Sequence, residues 1–272
     1  MAKNKVSFET EEVRRQFAAS KSVSNGRFSK IILAALCIVV VLAGAVYAAK
    51  LFSNKEVDWE AYGEALAKLE EKYDDHDKVI LVVGGNEIKK SEYYKIKILN
   101  KFTFDSLMEL YEEYIDDFGS TMNKDEIEAL KPVPVKDEDI INDLILLEIG
   151  YLEAIKCGVA YNSETAYSKM NTTYYAYQEV LTTNSEEEEV YRKAKEFLDQ
   201  AAAVAKGMGV TRDDYIRYLA EDSIKSLSVT ELESDWQEAF TDSDYEGSVE
   251  EYIDERYEAL RQLYSVEIRG LD

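Results

Sequence analysis

The chain has 272 residues, with 55 acidic against 32 basic side chains and a formal net charge of −23. That balance argues against a nucleic-acid binder working by phosphate neutralisation, and against direct docking on anionic lipid. Aromatics make up 11% of the residues, 20 of them being Tyr, which is too many for a disordered chain, and only two Pro and 12 Gly occur, which favours helices.

The first predicted element is an uncharged run of 19 residues from Ile31 to Ala49, bracketed by Lys30 and Lys50. At 1.5 Å per residue it is long enough to cross a hydrocarbon core. Residues 1–30 carry seven Lys/Arg and three Glu, whereas residues 51–272 carry 24 Lys/Arg against 52 Asp/Glu, a formal −28. Positive charge ahead of the run keeps the arm cytoplasmic and sends the acidic part outside. The expectation is a cytoplasmic arm (1–30), a transmembrane signal anchor (31–52), a membrane-proximal helix or linker (53–77) and an exported domain (78–272). A cleaved signal peptide ending near Val46-Tyr47-Ala48 is the alternative. Cys37 follows Leu36, not a small residue, and lies inside the apolar run, which disfavours a lipoprotein.

Glu56 to Tyr73 reads as a helix with Tyr62, Leu66, Leu69 and Tyr73 on one stripe. It stands the domain off the membrane while packing on it. Lys78 to Val83 is an apolar, β-branched run followed by Gly84-Gly85-Asn86 and Glu87-Ile88, the pattern of a small hairpin. Ser91 is the cap expected for a long helix to about Phe118, with Ile98, Phe102, Leu107, Leu110, Tyr111 and Tyr114 on its apolar side. A short helical piece near Glu126 to Leu130 and the extended Lys131-Pro132-Val133-Pro134 connector come next.

Asp137 to Cys157 is the strongest helix of the exported part. Its first turn is acidic, Ile140, Ile141, Leu144, Leu147, Tyr151 and Ile155 form a face, and Gly158 suits a left-handed cap. Asn162-Ser163 starts a Tyr-dense helix to about Leu181. Ser185 with Glu188 opens one to Lys206, ended by Gly207 and Gly209. Thr211 with Asp214 caps the next, and a further helix holds Leu232, Trp236 and Phe240. Ser248 with Glu251 opens the last. Ser265 to Ile268 alternates as a strand and is expected to pair with the early hairpin, because a lone hairpin is marginal in water.

VILVVGGNEIKKSEYYK (Val79 to Lys95) is similar to the opening strand, turn and helix start of the SurA-like and PrsA-like chaperones, which the exported half resembles. DIINDLILLEIGYLEAIKCGVAYNSE (Asp139 to Glu164) resembles their central helix and turn, with Leu144, Ile145, Leu147, Ala154, Gly158 and Ser163 on matching places. MGVTRDDYIRYL (Met208 to Leu219) and YEALRQLYSVEI (Tyr257 to Ile268) look like their later helix start and closing helix and strand. Gly84-Gly85-Asn86 departs from the usual Asn-Gly, and no parvulin prolyl-isomerase segment fits. The resemblance implies a mostly helical domain with a small antiparallel sheet, SurA N-terminal-like or trigger-factor-C-terminal-like. It also implies a cradle for unfolded clients without the isomerase, and carries over no catalytic residue.

Outside the apolar run Cys157 is the only cysteine, so no disulfide joins the exported part to itself. It ends an apolar helix face and reads as a buried small hydrophobe, not a nucleophile. Asp242-Ser243-Asp244-Tyr245-Glu246-Gly247 resembles the start of a calcium loop, but its twelfth position is Ile253 where a bidentate Glu is required, so a turn before the Ser248 cap is preferred. His76 among Asp74, Asp75 and Asp77 reads as a polar turn, and Glu186 to Glu189 as a helix start.

No catalytic residue, metal or cofactor is assigned. The Tyr surplus carries the binding expectation, since Tyr offers large contact area with few rotors. Tyr151, Tyr167, Tyr174, Tyr177, Tyr215 and Tyr218 are the candidate peptide-binding positions, set against a role at the boundary of the core. The expected function is a membrane-anchored chaperone-like binder of unfolded or exported polypeptides. An assembly subunit with one dedicated folded partner and a degenerate prolyl isomerase are the alternatives.

Overall fold

A computed structural model describes residues 57–73, 77–118, 127, 128, 130–184, 189–241 and 245–270. The basic arm, the apolar run at 31–49 and His76 lie outside them, as do Glu186 to Glu188 and Asp242 to Asp244. Among the described residues no helix is long and apolar enough to cross a membrane.

Eight helices and three strands occur among the described residues. In chain order they are α1 (Trp59–Tyr73), β1 (Val79–Val83), β2 (Asn86–Lys89), α2 (Lys90–Phe118), α3 (Asp137–Cys157), α4 (Ser163–Thr183), α5 (Glu189–Met208), α6 (Arg212–Asp222), α7 (Ile224–Thr241), α8 (Val249–Arg261) and β3 (Val266–Ile268). The protein is therefore mostly helical with one small antiparallel sheet, as expected.

The sheet order is β2-β1-β3. β1 and β2 join through Gly84 and Gly85, both at positive φ (58° and 94°), which a two-residue hairpin turn of this kind requires. β3 pairs antiparallel with β1, Leu81 opposite Ile268 and Val83 opposite Val266. The last strand thus returns to the hairpin and supplies the third strand that makes it stable. Leu81, Val83 and Ile88 share one face of the sheet and are fully buried.

Two larger apolar cores form, with a third, small cluster of Ala166, Ala220 and Leu227 among α4, α6 and α7. The first gathers that sheet face with Tyr93 of α2, Ile149 of α3, Leu232 and Trp236 of α7 and Tyr257 of α8. The second gathers Trp59, Tyr62 and Leu66 of α1 with Leu99 of α2, Tyr174 of α4, Val204 of α5 and Tyr215 and Leu219 of α6. α2 contributes to both, through Tyr93 and Leu99, which makes it the link between them.

α1 is part of the helical body, which among the described residues starts ahead of the boundary at 78 drawn from the sequence. Its contact with α5 is closer than ordinary helix packing. A Cβ on Gly207 would lie 2.0 Å from the Glu60 carbonyl oxygen, and one on Gly63 would lie 2.3 Å from that of Val204. Gly207 is thus inside α5, where it serves close approach, and the helix is ended by Gly209 at φ 70°. This corrects the reading of Gly207 as a terminator.

Several expected ends appear. Gly158 (φ 78°) caps α3, its N–H directed at the Ala154 and Ile155 carbonyls. Asn162 caps α4, Thr211 caps α6, and Ser248 and Glu251 form a capping box on α8. The cap of α2 is a correction: Asp77, not Ser91, supplies the acceptors. The Ser91 N–H donates to Asp77 Oδ1 at 3.0 Å and its hydroxyl to Oδ2 at 2.5 Å.

Candidate functional site

The feature that separates this chain from a closed helical domain is the distal half of α2. At 29 residues the helix is about 43 Å long. Tyr93 and Leu99 near its start are buried, and Phe102 still touches the second core, its ring 5.7 Å from that of Tyr62. Beyond Phe102, Phe104, Leu107, Met108, Tyr111 and Ile115 fall on one helix face by their three- and four-residue spacing. Each is partly buried, and among the described residues none belongs to an apolar core. Charges lie off this stripe, with Lys101 held by Asp105 at 2.6 Å. The Tyr111 hydroxyl donates to the Ile127 carbonyl at 3.3 Å, bringing the connector back towards the helix. That connector then runs past Leu130, Val133 and Val135, which are 50%, 78% and 47% exposed. A stripe spaced for a core but left partly open is a surface able to take apolar side chains from outside.

Buried polar groups fix the root of this helix. Glu148 of α3 is 1% exposed and sits among apolar residues. Asn86 Nδ2, just after the hairpin turn, donates to its Oε1 at 2.7 Å. Lys225 of α7 lies 2.8 Å from its Oε2, an ion pair off the direction of a good hydrogen bond, and donates to Glu92 of α2 at 2.8 Å. Burial opposes the Lys225 charge, but Glu92 and Glu148 outweigh it and hold the ammonium above its ordinary pKa. One cation thus ties α2, α3 and α7 together beside the hairpin. A second cluster joins α1, α2 and α6: Lys95 pairs with Asp222 at 2.9 Å and Glu70 at 3.8 Å, and lies over the Tyr218 ring at 4.8 Å. Burial, then Asp222 and Glu70, keeps the Tyr218 hydroxyl protonated well past its usual range.

Glu233 of α7 is the other buried carboxyl, at 2% exposure. The Tyr257 hydroxyl donates to its Oε1 at 2.7 Å, and its Oε2 has no hydrogen-bond partner among the described residues. Burial pushes its pKa up to about 7, with the Tyr257 bond partly opposing the shift.

The six candidate tyrosines do not form one surface. Tyr174 and Tyr215 are buried in the second core, at 7% and 5% exposure, and offer no ring to a ligand in this conformation. Tyr218 stacks on Tyr215 at 6.3 Å. Tyr167 is half-buried beneath Arg217, 4.4 Å from its ring. Tyr177 packs on Phe197 at 4.5 Å, and burial raises its hydroxyl to about 12. Tyr151 stands apart, partly exposed on α3. The exposed ring of this region is Tyr175, at 51%, beside Tyr174.

Cys157 is exposed, a correction to its reading as a buried hydrophobe. It falls in the last turn of α3, just before Gly158, on the solvent side with Ile155 and Lys156. Ile253, the twelfth position of the calcium-loop pattern, is a core residue at 4% exposure. Among the described residues no group of three or more His, Cys, Asp or Glu side chains is placed to hold a metal.

Glu148 and Glu233 were not singled out by sequence reasoning. For Glu148 a signal was present, a single charge between Leu147 and Ile149 of an apolar face; Glu233 lies between Glu231 and Asp235, and nothing local marks it as the buried one. No protein-family model, curated protein or solved structure matches this chain.

Proposed function

We propose that this protein is a membrane-anchored, chaperone-like binder of unfolded or extended polypeptide, of SurA-like architecture, acting outside the membrane and without catalysis. The observation that carries the reading is the partly exposed apolar stripe from Phe104 to Ile115 on α2, which among the described residues continues beyond the apolar cores. An amphipathic stripe normally buries itself against its own domain. Here the root of the helix is locked by Glu92 and Lys225, so the stripe is held out on a rigid support. The return of β3 to the hairpin supports the architectural part, and the charge contrast between residues 1–30 and 51–272 supports the topology. The acidic surface favours neutral or basic clients over acidic ones.

The test is aggregation of a chemically unfolded exported-type protein, followed by light scattering with the full-length chain in neutral-lipid nanodiscs. Prolyl isomerisation of a model peptide is followed in the same preparation. Suppression at near-stoichiometric ratio without isomerisation is expected. A folded protein that suppresses nothing, and instead co-purifies with one partner, would replace this reading with that of an assembly subunit.

A further inference from the structure

We propose that the free edge of β3 is a second polypeptide-binding element, which adds an extended client segment as a fourth antiparallel strand. The inference rests on the polypeptide-binding reading and names where and how part of the client is held.

The backbone directions follow from the register. Val82 lies opposite Glu267, the Gly84 N–H donates to the Ser265 carbonyl at 2.8 Å, and the Arg269 N–H donates to the Ile80 carbonyl at 2.8 Å. Ser265, Glu267 and Arg269 therefore turn their backbone groups towards β1. In an antiparallel ladder the alternate residues turn theirs the other way, so Val266 and Ile268 present N–H and C=O outward. β3 is the last strand of the order β2-β1-β3, and among the described residues no strand lies beyond it.

The side chains of the same two residues continue the buried face. Opposed residues share a face, so Val266 extends Val83, and Ile268 extends Leu81 and Ile88. Yet Val266 is 40% and Ile268 62% exposed, where Leu81 and Val83 are at 0%. The core face of the sheet thus runs out past its cover at the same edge whose backbone has no strand partner among the described residues. Both needs are met by an extended segment with apolar residues at alternate positions.

Charge selects between occupants. The opposite face of the sheet sets Glu87 and Glu267 against Lys89 and Arg269, Arg269 being bonded to Glu267 at 3.0 Å, so the selection rests on the charge of the whole chain. A second copy would bring another chain of net charge −23 to the same place, whereas a neutral or basic unfolded segment meets no such repulsion. The occupant is that segment.

The test uses the full-length chain in neutral-lipid nanodiscs and a fluorescent nine-residue peptide of alternating Val and Thr with a Lys at each end. Docking on β3 with Val on the core face directs the Val N–H groups at the protein and the Thr N–H groups away. N-methylation of the Val amides is expected to weaken binding at least tenfold, and N-methylation of the Thr amides less than threefold. Ile268→Pro, which removes an outward N–H and spares the bonds to β1, is expected to weaken the parent peptide about tenfold. Ile268→Lys, which keeps the backbone and places a charge on the apolar flank, guards against misfolding of the Pro variant and is expected to act in the same direction. Equal affinities for the two methylated peptides, or no peptide binding while aggregation is still suppressed, would overturn the edge assignment and leave the chaperone reading standing. Absence of both activities would overturn both. A concentration-dependent dimer lost in Ile268→Lys would overturn the client assignment in favour of a second copy.

Discussion

Replacing Glu233 by Gln tests the physical account of the core. The carboxyl is 2% exposed, accepts one bond from Tyr257 and has its other oxygen unpartnered. Its pKa rises from 4.5 to about 7 on folding. Below pH about 4.5 the group is neutral in both states and carries no penalty. Between there and about 7 the unfolded chain releases the proton while the folded chain keeps it, so stability falls as pH rises. Above about 7 the whole penalty is present, roughly 3 kcal/mol for a shift of this size. Gln keeps an oxygen for Tyr257 and has no charge to bury, and the cost of its unpartnered amide does not vary with pH. The stability difference between variant and parent is therefore expected to swing by about 3 kcal/mol in favour of the variant between pH 4 and pH 8. Urea unfolding at several pH values measures it, with Trp236, 5.3 Å from the Tyr257 ring, as a local fluorescent reporter. The other acidic groups titrate in both proteins and cancel in the difference. A difference that stays constant across that range would refute the assignment of Glu233 as a carboxyl ionised at a cost.

Lys225→Met leaves Glu148 buried without its cation and is expected to cost about 3 to 5 kcal/mol in urea unfolding; the double variant with Glu148→Leu is expected to recover most of that. Gly207→Ala is expected to lose about 2 kcal/mol or more, despite the roughly 1 kcal/mol that Ala gains over Gly in a helix, because its methyl meets the Glu60 carbonyl; thermal melting checks the sign.

How far the sequence carried this account depends on whether a signal was local. The ends of α3 were legible because an acidic first turn, an apolar period and Gly158 all lie within one segment. The pairing of β3 with β1 was legible because a lone hairpin needs a third strand and only Val266 to Ile268 alternated late in the chain. The roles of Glu148 and Lys225 were not, since the two are far apart in sequence and a charge in a helix is by default solvated. Gly207 looked like a terminator because its reason, the Glu60 carbonyl, comes from another helix. Ser91 looked like a cap because Asp77, which holds it, precedes the hairpin. The tyrosines were ambiguous in kind: Tyr174 and Tyr215 have the spacing of core residues and the composition of a binding surface, and only packing assigns them to the core. The partly exposed stripe on α2 reads in the sequence as an ordinary apolar side, because periodicity shows a face without showing what covers it.

The central claim is that the distal stripe of α2 binds unfolded polypeptide. The most direct measurement compares the full-length chain with a Phe104→Glu, Leu107→Glu double variant in suppressing aggregation of an unfolded exported-type client. Both residues lie outside the apolar cores, so melting is expected to move little while suppression falls to less than half. Full suppression by the double variant, with its fold intact, would contradict the claim.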